Sequence, residues 1–251
     1  MGTIAVEYRD AVAVAKLNRG VTNALDPELV NELGEVLRTI EQDSGVNGLV
    51  LASGNEKFFS IGFDLPKLFE FPRPEFEKFF GLFNRVCLNL YTLSKPTVAA
   101  ITGHATAGGC ILALCCDYRF IAGGRKLMGL NEIKLGVPIP CLPDSVLRYV
   151  VGVRNARDIM DSGEFYESAA CLKMGLVDEV LPIEEVLPRA VEKARSVGSS
   201  PREAFALIKR SRVEEVERRV LTDSAEMDRV FLNCWYSAEG RRRLRETIKK
   251  F

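Results

Sequence analysis

Short β-prone runs alternate with longer segments of helical periodicity along this chain, and that alternation limits the folds open to it. A buried strand predicted at residues 48–52 leads into a glycine-containing turn at residues 59–64. A second strand at residues 96–101 ends at Gly103, and small residues then open a helix through residues 111–114. Two strand–turn–helix units in succession predict an α/β core.

Segments outside these two units complete the predicted secondary structure. The polar pair Arg9-Asp10 between two β-prone runs predicts a hairpin, and Asp26 followed by Pro27 predicts the start of a helix. The other predicted strands cover residues 4–8, 12–17, 118–122 and 177–181. The other predicted helices cover residues 27–40, 74–93, 142–150, 156–162, 203–212, 214–231 and 238–250, and Glu132 is placed in a loop.

The composition of the chain limits the classes of protein to which it can belong. A chain of 251 residues that is 47% hydrophobic can bury a large core, so we expect one main domain with an appendage. Thirty-four basic residues balance thirty-four acidic ones, so no global field favours nucleic acid or an anionic membrane surface. Seven cysteines, without a metal-type CxxC pair, are typical of small core residues in a reducing compartment. With no secretory signal pattern and no apolar run of transmembrane length, we expect a soluble cytoplasmic protein.

Two short motifs carry groups suited to chemistry. Gly108-Gly109-Cys110-Ile111 offers backbone N–H groups at a helix start, and Leu130-Asn131-Glu132-Ile133 offers one carboxylate. In the turn at residues 60–64, Gly62 permits a backbone conformation that aims a following N–H outward. Two such donors converging on one point form an oxyanion hole, in which each contributes roughly 3 kcal/mol to an enolate-like transition state. The alternative is that Gly62 and Gly103 are ordinary turn glycines and Gly108-Gly109 permits close helix packing.

Four ordered segments resemble the crotonase, or enoyl-CoA hydratase/isomerase, superfamily along nearly the whole chain. They are residues 58–65, residues 95–103 with 107–109 and 117–119, residues 132–137, and residues 169–180. The resemblance implies a crotonase-like α/β spiral of ββα turns with a C-terminal helical layer. It divides the chain into a catalytic core at residues 1–197 and a helical oligomerisation region at residues 198–251. That region is expected to carry little chemistry of its own.

The resemblance also implies a ligand and an assembly. The expected substrate is an acyl-CoA thioester whose carbonyl oxygen is held by the N–H groups of Phe63 and Gly108. Coenzyme A enters only as part of that substrate, no metal or redox cofactor is implied, and the expected assembly is a homotrimer or a dimer of trimers. The residues expected to bind substrate are Ser60, Ile61, Gly62, Asp64, Leu65, Gly109 and Ile111.

One expected catalytic position is occupied by an apolar residue. In the two-glutamate hydratases of the superfamily, the first glutamate lies where this chain has Ile111, so only Glu132 remains. The motifs are most similar to the Δ3,Δ2-enoyl-CoA isomerase branch. A single carboxylate can take a proton from C2 and return it to C4, and Ile111 would keep the pocket dry and raise the pKa of Glu132. An enoyl-CoA hydratase, another single-glutamate acyl-CoA lyase and a non-catalytic acyl-CoA-binding subunit stay open as alternatives.

Several neighbouring residues have two interpretations. Pro140 stands eight residues after Glu132, where dienoyl-CoA isomerases have an aspartate, which argues against that activity. Asp144 either enters the pocket or, as we favour, caps a helix at the surface. We expect His104 to make a structural hydrogen bond, as a lone histidine beside a turn more often does. We expect Cys110 to pack in the core, because no basic neighbour activates it.

Two further groups of residues complete the candidate site. Lys57, Arg19 and the basic runs at residues 241–243 and 249–250 are candidates for the CoA phosphates, although charges on a C-terminal helix usually form only a solvated face. A dense set of aromatic residues either lines an acyl-tail tunnel or packs in the core. These are Phe69, Phe71, Phe76, Phe79, Phe80 and Phe83.

Overall fold

Two β-sheets and ten helices make up residues 2–249, which are the residues described by the computed structural model. The strands are β1 (Ile4–Arg9), β2 (Val12–Leu17), β3 (Gly48–Ser53), β4 (Phe58–Ser60), β5 (Thr97–Ile101), β6 (His104–Thr106), β7 (Tyr118–Ala122), β8 (Leu127–Gly129), β9 (Tyr166–Glu167) and β10 (Glu179–Leu181). The helices are α1 (Pro27–Gln42), α2 (Leu65–Phe69), α3 (Arg73–Thr92), α4 (Gly108–Leu114), α5 (Glu132–Leu135), α6 (Cys141–Ser162), α7 (Ser168–Met174), α8 (Ile183–Gly198), α9 (Arg202–Trp235) and α10 (Ala238–Ile248).

The larger sheet has six strands in the order β1-β2-β3-β5-β7-β10. β1 and β2 are antiparallel, which confirms the predicted hairpin, and every other neighbouring pair is parallel. All six strands were predicted, with the largest error at β10, which begins at Glu179 and not at Val177. Their apolar side chains are buried on both faces of the central strands, as is typical of a parallel sheet covered by helices.

A second, smaller sheet in the order β4-β6-β8-β9 was not predicted. Its strands are two or three residues long, too short for an alternating apolar pattern to appear in the sequence. β4, β6 and β8 run parallel, and β9 pairs antiparallel with β8. The prediction that residues 59–64 form only a turn was therefore wrong for the first two of them, which belong to β4.

The chain winds through the two sheets as a spiral. Three times, a strand of the large sheet is followed by a strand of the small sheet and then by helix: β3-β4-α2, β5-β6-α4 and β7-β8-α5. This arrangement confirms the ββα spiral. Because β4, β6 and β8 are parallel neighbours, their carboxyl ends lie side by side, about 4.8 Å apart per strand. The segments that follow these three strands are therefore brought to one place.

The helices in the structure agree with the predicted helices, with some differences in their bounds and continuity. Asp26 caps α1, because its Oδ1 accepts a hydrogen bond from the Leu29 N–H at 3.0 Å, and Pro27 is the first helical residue. The two helices predicted at residues 142–150 and 156–162 are confirmed as the two parts of α6, which are separated by a kink at Gly152, whose φ of 76° favours glycine. The helices predicted at residues 203–212 and 214–231, in contrast, form the single helix α9. Of the helix predicted at residues 238–250, Lys250 lies outside the described residues.

The C-terminal helices pack directly on the core. Phe231 and Trp235 of α9 belong to the main apolar cluster. Lys209 of α9 is buried, and its Nζ donates to the Lys95 carbonyl at 3.0 Å and to Asp117 Oδ2 at 2.8 Å. These bonds connect α9 to the chain before β5 and to the chain before β7. Between residues 2 and 249, no helix has the length and apolar character needed to cross a membrane.

Candidate active site

A cavity of about 430 Å³ opens where the segments after β4, β6 and β8 meet. Six predicted site residues lie on its wall: Ile61, Phe63, Leu65, Gly108, Ile111 and Glu132. Most of the remaining wall is apolar, including Phe58, Leu135, Val137, Phe165, Phe231 and Trp235. A deep apolar cavity with few polar groups is the usual form of a small-molecule site.

Glu132 is the one ionisable residue among those described that line this cavity. It is the first residue of α5, which corrects the prediction of a loop, and only 6% of its surface is exposed. Burial raises its pKa to about 7, although the backbone N–H groups of Glu132 and Asn131 oppose that rise. Its Oε2 has no hydrogen-bond partner within residues 2–249. A carboxylate with a pKa near neutrality is suited to take up and return a proton.

Apolar residues occupy the positions where a second acid was considered. Ile111 of α4 lies on the cavity wall and is 2% exposed, and Pro140 lies on the same wall. Asp144 is not part of this wall. It is buried in the first turn of α6 and binds Arg148 at 2.8 Å and Arg219 at 3.1 Å, so its prediction as a surface N-cap was wrong.

The N–H groups on both sides of Phe63 have hydrogen-bond acceptors within the protein. The Ile61 N–H donates to the Thr22 carbonyl at 3.1 Å, the Gly62 N–H to Ser60 Oγ at 3.1 Å, and the Asp64 N–H to the Leu25 carbonyl at 2.9 Å. Among the hydrogen bonds of residues 2–249, none uses the Phe63 N–H. This donor is therefore available to a ligand.

The Gly108 amide is a second available donor beside the first. Gly108 opens α4, where helical N–H groups lack intrahelical acceptors, and no acceptor for its N–H occurs in the described chain. Gly62 has a φ of 88°, and a Cβ added to it would lie 2.7 Å from the Gly108 nitrogen. Ala107, just before Gly108, also has a positive φ of 50°, a strained conformation of the kind found at functional sites.

Four predicted binding residues do not line the cavity but support the segments that do: Ser60, Gly62, Asp64 and Gly109. Ser60 is fully buried, and its Oγ donates to the Asn23 carbonyl at 2.7 Å. A Cβ on Gly109 would lie 2.2 Å from the Ser60 carbonyl oxygen, so α4 can approach β4 only with glycine there. Asp64 caps α2 by accepting from the Lys67 N–H at 3.2 Å. Direct contact of these residues with substrate stays a prediction.

The single histidine, His104, makes a structural hydrogen bond, and Cys110 beside Gly109 is buried. His104 Nδ1 accepts a hydrogen bond from the Leu127 N–H at 3.0 Å, linking β6 to β8, and His104 is not on the cavity wall. Cys110 is buried, and burial raises the pKa of its thiol well above the usual range. A thiol with such a pKa stays protonated and is a poor nucleophile.

The aromatic residues divide between core and cavity. Phe76, Phe79, Phe80 and Phe83 of α3 are buried around the Phe63 ring, which lies 5.0 Å from Phe79 and 4.9 Å from Phe83 between ring centroids. These four residues pack in the core and do not line the cavity.

Three aromatic residues of the cavity wall were not foreseen: Phe165, Phe231 and Trp235. Phe231 and Trp235 come from α9, so this C-terminal helix forms part of the cavity wall. Their four-residue spacing in an otherwise charged helix is the signal that could have identified a buried face.

Most of the basic candidates for the CoA phosphates already have partners. Arg19 binds Asp26 and Asp64, and Arg241 lies 3.4 Å above the Phe69 ring and donates to the Phe69 carbonyl. Arg242 and Arg243 pair with Glu239. Lys57 is exposed and lies next to Phe58 of the cavity wall. Lys250 lies outside the described residues.

Comparisons with known proteins agree with this architecture. The family described as enoyl-CoA hydratase/isomerase matches residues 7–251. "Enoyl-CoA delta isomerase 1, mitochondrial" of Mus musculus is 36% identical over 187 residues, which are 74% of this chain and 63% of that protein. This chain thus spans slightly less than two thirds of the mouse relative. "Short-chain-enoyl-CoA hydratase" of Clostridium acetobutylicum is 29% identical over 251 residues, covering 100% of this chain and 96% of that protein.

A solved structure extends the agreement to the fold. The crystal structure of human mitochondrial delta3-delta2-enoyl-CoA isomerase matches with a TM-score of 0.95 and 28% identity, over 99% of this chain and 97% of that one. The spiral, the two sheets and the C-terminal helices are therefore shared across nearly the full length. The chain belongs to the enoyl-CoA hydratase/isomerase family and has the crotonase fold.

Proposed function

We propose that this protein is an enoyl-CoA isomerase that converts a 3-enoyl-CoA into a 2-enoyl-CoA. One observation carries the proposal: among residues 2–249, Glu132, with a pKa of about 7, is the one ionisable group on the wall of an apolar cavity, and the backbone donors of Phe63 and Gly108 belong to the same wall. The relatives named as enoyl-CoA delta isomerases support it.

The proposed reaction moves one proton between two carbons. The thioester oxygen accepts hydrogen bonds from the N–H groups of Phe63 and Gly108. Glu132 removes a C2 proton, and the electrons of the broken C–H bond pass into a dienolate whose negative charge lies largely on that oxygen. Each donor then contributes roughly 3 kcal/mol to the transition state.

The second half of the reaction returns the proton. The protonated Glu132 gives it to C4, the C2–C3 double bond forms, and the thioester carbonyl is restored. Glu132 ends in its ionised form, ready for another cycle. No atom is gained or lost and there is no net oxidation or reduction, so the reaction consumes neither water nor a redox equivalent.

Hydration of a 2-enoyl-CoA is the second candidate, because the hydratase of Clostridium acetobutylicum is similar over the whole chain. Hydration requires a water molecule to be positioned for attack on C3. Ile111 and Pro140 offer no side-chain hydrogen bond with which to hold that water. The lack of a second acid at these two positions therefore supports isomerisation over hydration.

Two assays on the purified protein separate these candidates. With 3-hexenoyl-CoA we expect conversion to 2-hexenoyl-CoA, and with crotonyl-CoA we expect little loss of the enoyl absorbance. Rapid hydration of crotonyl-CoA without isomerisation would establish the hydratase. Binding of acyl-CoA without turnover of either substrate would indicate a non-catalytic binding subunit.

The partner and assembly proposals extend from the same site. We expect Lys57, beside the cavity wall, to contact CoA phosphates, and we expect a homotrimer or a dimer of trimers. Exposed apolar side chains on α9, among them Leu207, Ile208 and Leu221, support an assembly that covers this helix. Light scattering of the purified protein measures its mass and tests the assembly.

Cytoplasmic location stays a prediction, since the mouse, rat and human relatives are named as mitochondrial.

A further inference from the structure

We infer that Arg19 is a positioning residue for the oxyanion hole: it joins the two segments that hold the Phe63 amide in place. The inference rests on the proposed role of that amide. It assigns Arg19 a different task from the phosphate contact expected of a basic residue in this region.

A neighbouring segment, residues 22–26, runs alongside the turn that carries the Phe63 amide. Leu25 and Phe63 form a parallel bridge, in which the Leu25 N–H donates to the Gly62 carbonyl at 2.7 Å and its carbonyl accepts from the Asp64 N–H at 2.9 Å. The direction of the Phe63 N–H therefore depends on the position of Leu25.

Arg19 binds the residues that directly follow both members of this bridge. Its Nη2 lies 3.0 Å from Asp26 Oδ2 and 2.9 Å from Asp64 Oδ2, while its Nη1 donates to the Ala24 carbonyl at 3.0 Å. One planar guanidinium thus contacts both segments at once. A lysine ammonium lacks this forked geometry.

Each of the two carboxylates also holds a helix start. Asp26 uses Oδ1 to cap α1, and Asp64 uses Oδ1 to cap α2, so the second oxygen of each remains for Arg19. Arg19 therefore connects the first turns of two helices as well as the bridge between them. A small shift of either helix start would turn the Phe63 N–H away from the thioester oxygen.

Local charge argues against a phosphate site at Arg19. Lys67 Nζ lies 2.7 Å from Asp26 Oδ2, so two cations and two carboxylates form one network with no net charge. Asp26 is 1% exposed. Burial raises its pKa, but the bonds from Lys67 and the Leu29 N–H and the charge of Arg19 outweigh burial and lower that pKa. Both cations are already committed to buried or half-buried acids, and little positive field remains for a phosphate.

The kinetic test separates positioning from phosphate binding. For Arg19→Met we expect kcat for 3-hexenoyl-CoA to fall about 10- to 100-fold, as for a misplaced oxyanion donor, while KM changes less than about twofold. Arg19→Lys is expected to recover part of kcat. Arg189→Met is the matched control, because Arg189 also binds two carboxylates, Glu179 and Glu192, but at a distant surface. A rise in KM at unchanged kcat would overturn the inference in favour of phosphate binding.

A spectroscopic test reports on the donor itself. Bound hexanoyl-CoA labelled with ¹³C at the thioester carbonyl should show a carbonyl stretch shifted to lower frequency in the unmodified protein. Arg19→Met should lose most of that shift, and full retention would overturn the inference. Absence of the shift in the unmodified protein would instead contradict the proposed oxyanion hole.

If Arg19→Met does not fold, Asp64→Asn provides the same test, since asparagine can still cap α2 while its bond to Arg19 is weakened.

Discussion

Ile111 and Glu132 lie on the wall of the same cavity, Ile111 in α4 and Glu132 at the first residue of α5. An aliphatic side chain cannot hydrogen-bond a carboxylate, and burial among such residues raises the pKa of Glu132 to about 7. This relationship makes one side chain able both to accept and to donate a proton near neutral pH.

Replacing the base should abolish turnover without abolishing binding. We expect Glu132→Gln to lower kcat for 3-enoyl-CoA isomerisation about 10²- to 10⁴-fold, the usual contribution of general acid–base catalysis. Calorimetry with a saturated acyl-CoA should show an affinity close to that of the unmodified protein. Near-normal isomerisation by Glu132→Gln would show that another group is the base.

The pH dependence of the reaction should report the same carboxyl. Because only the ionised Glu132 can remove a C2 proton, kcat/KM should rise about tenfold per pH unit below about pH 7 and level off above it. Initial rates between pH 5 and pH 9 measure this profile. A rate already constant from pH 5 upward would show that Glu132 is ionised well below neutrality in the folded protein.

Glu132 should also destabilise the fold at high pH. Its pKa rises from the ordinary 4.5 to about 7 on folding, so the free energy of unfolding falls as the pH rises through that interval. Above pH 7 the penalty is at most roughly 3 kcal/mol, and Glu132→Gln removes it. Urea unfolding should show a larger stability gain for Glu132→Gln at pH 8 than at pH 5.

Restoring a second acid should change the reaction. In Ile111→Glu a new carboxylate near Glu132 raises the pKa of Glu132 further, and we expect isomerisation at pH 7 to fall at least about tenfold. The new acid also provides a hydrogen-bond partner for water, so hydration of crotonyl-CoA should increase. Ile111→Leu keeps the apolar wall and should isomerise normally. Unchanged isomerisation by Ile111→Glu would mean that position 111 does not influence the base.

Two glycines in helices allow a matched test of close packing. Gly109→Ala would place a Cβ 2.2 Å from the Ser60 carbonyl, so we expect a loss of about 1–3 kcal/mol in stability and a lower kcat as β4 shifts. A Cβ added to Gly81 of α3 would have no atom within 4 Å apart from its chain neighbours and the adjacent backbone of its own helix. Gly81→Ala should therefore stabilise the protein by up to about 1 kcal/mol through helix propensity. Thermal unfolding of the two variants should move in opposite directions.

Features that depend on a short stretch of chain could be predicted well. The central strands β3 and β5 of the large sheet are nearly continuous apolar runs, and the start of α1 follows from the capping residue Asp26 and from Pro27. The absence of a second acid at position 111 could likewise be seen in the motif. In each case the decisive residues are neighbours in sequence, and their local conformational preferences agree with the final fold.

The tertiary structure decided what depends on distant segments. Strands as short as β4, β6 and β8 exist because they pair with one another, and this pairing brings Phe63, Gly108 and Glu132 to one cavity. The fold also placed Trp235 on the cavity wall and committed Arg19 to two acids. The sequence by itself determined which chemical groups were present and which elements carried them. Their burial, partners and pKa values arise only when segments far apart in the chain exclude water from one another.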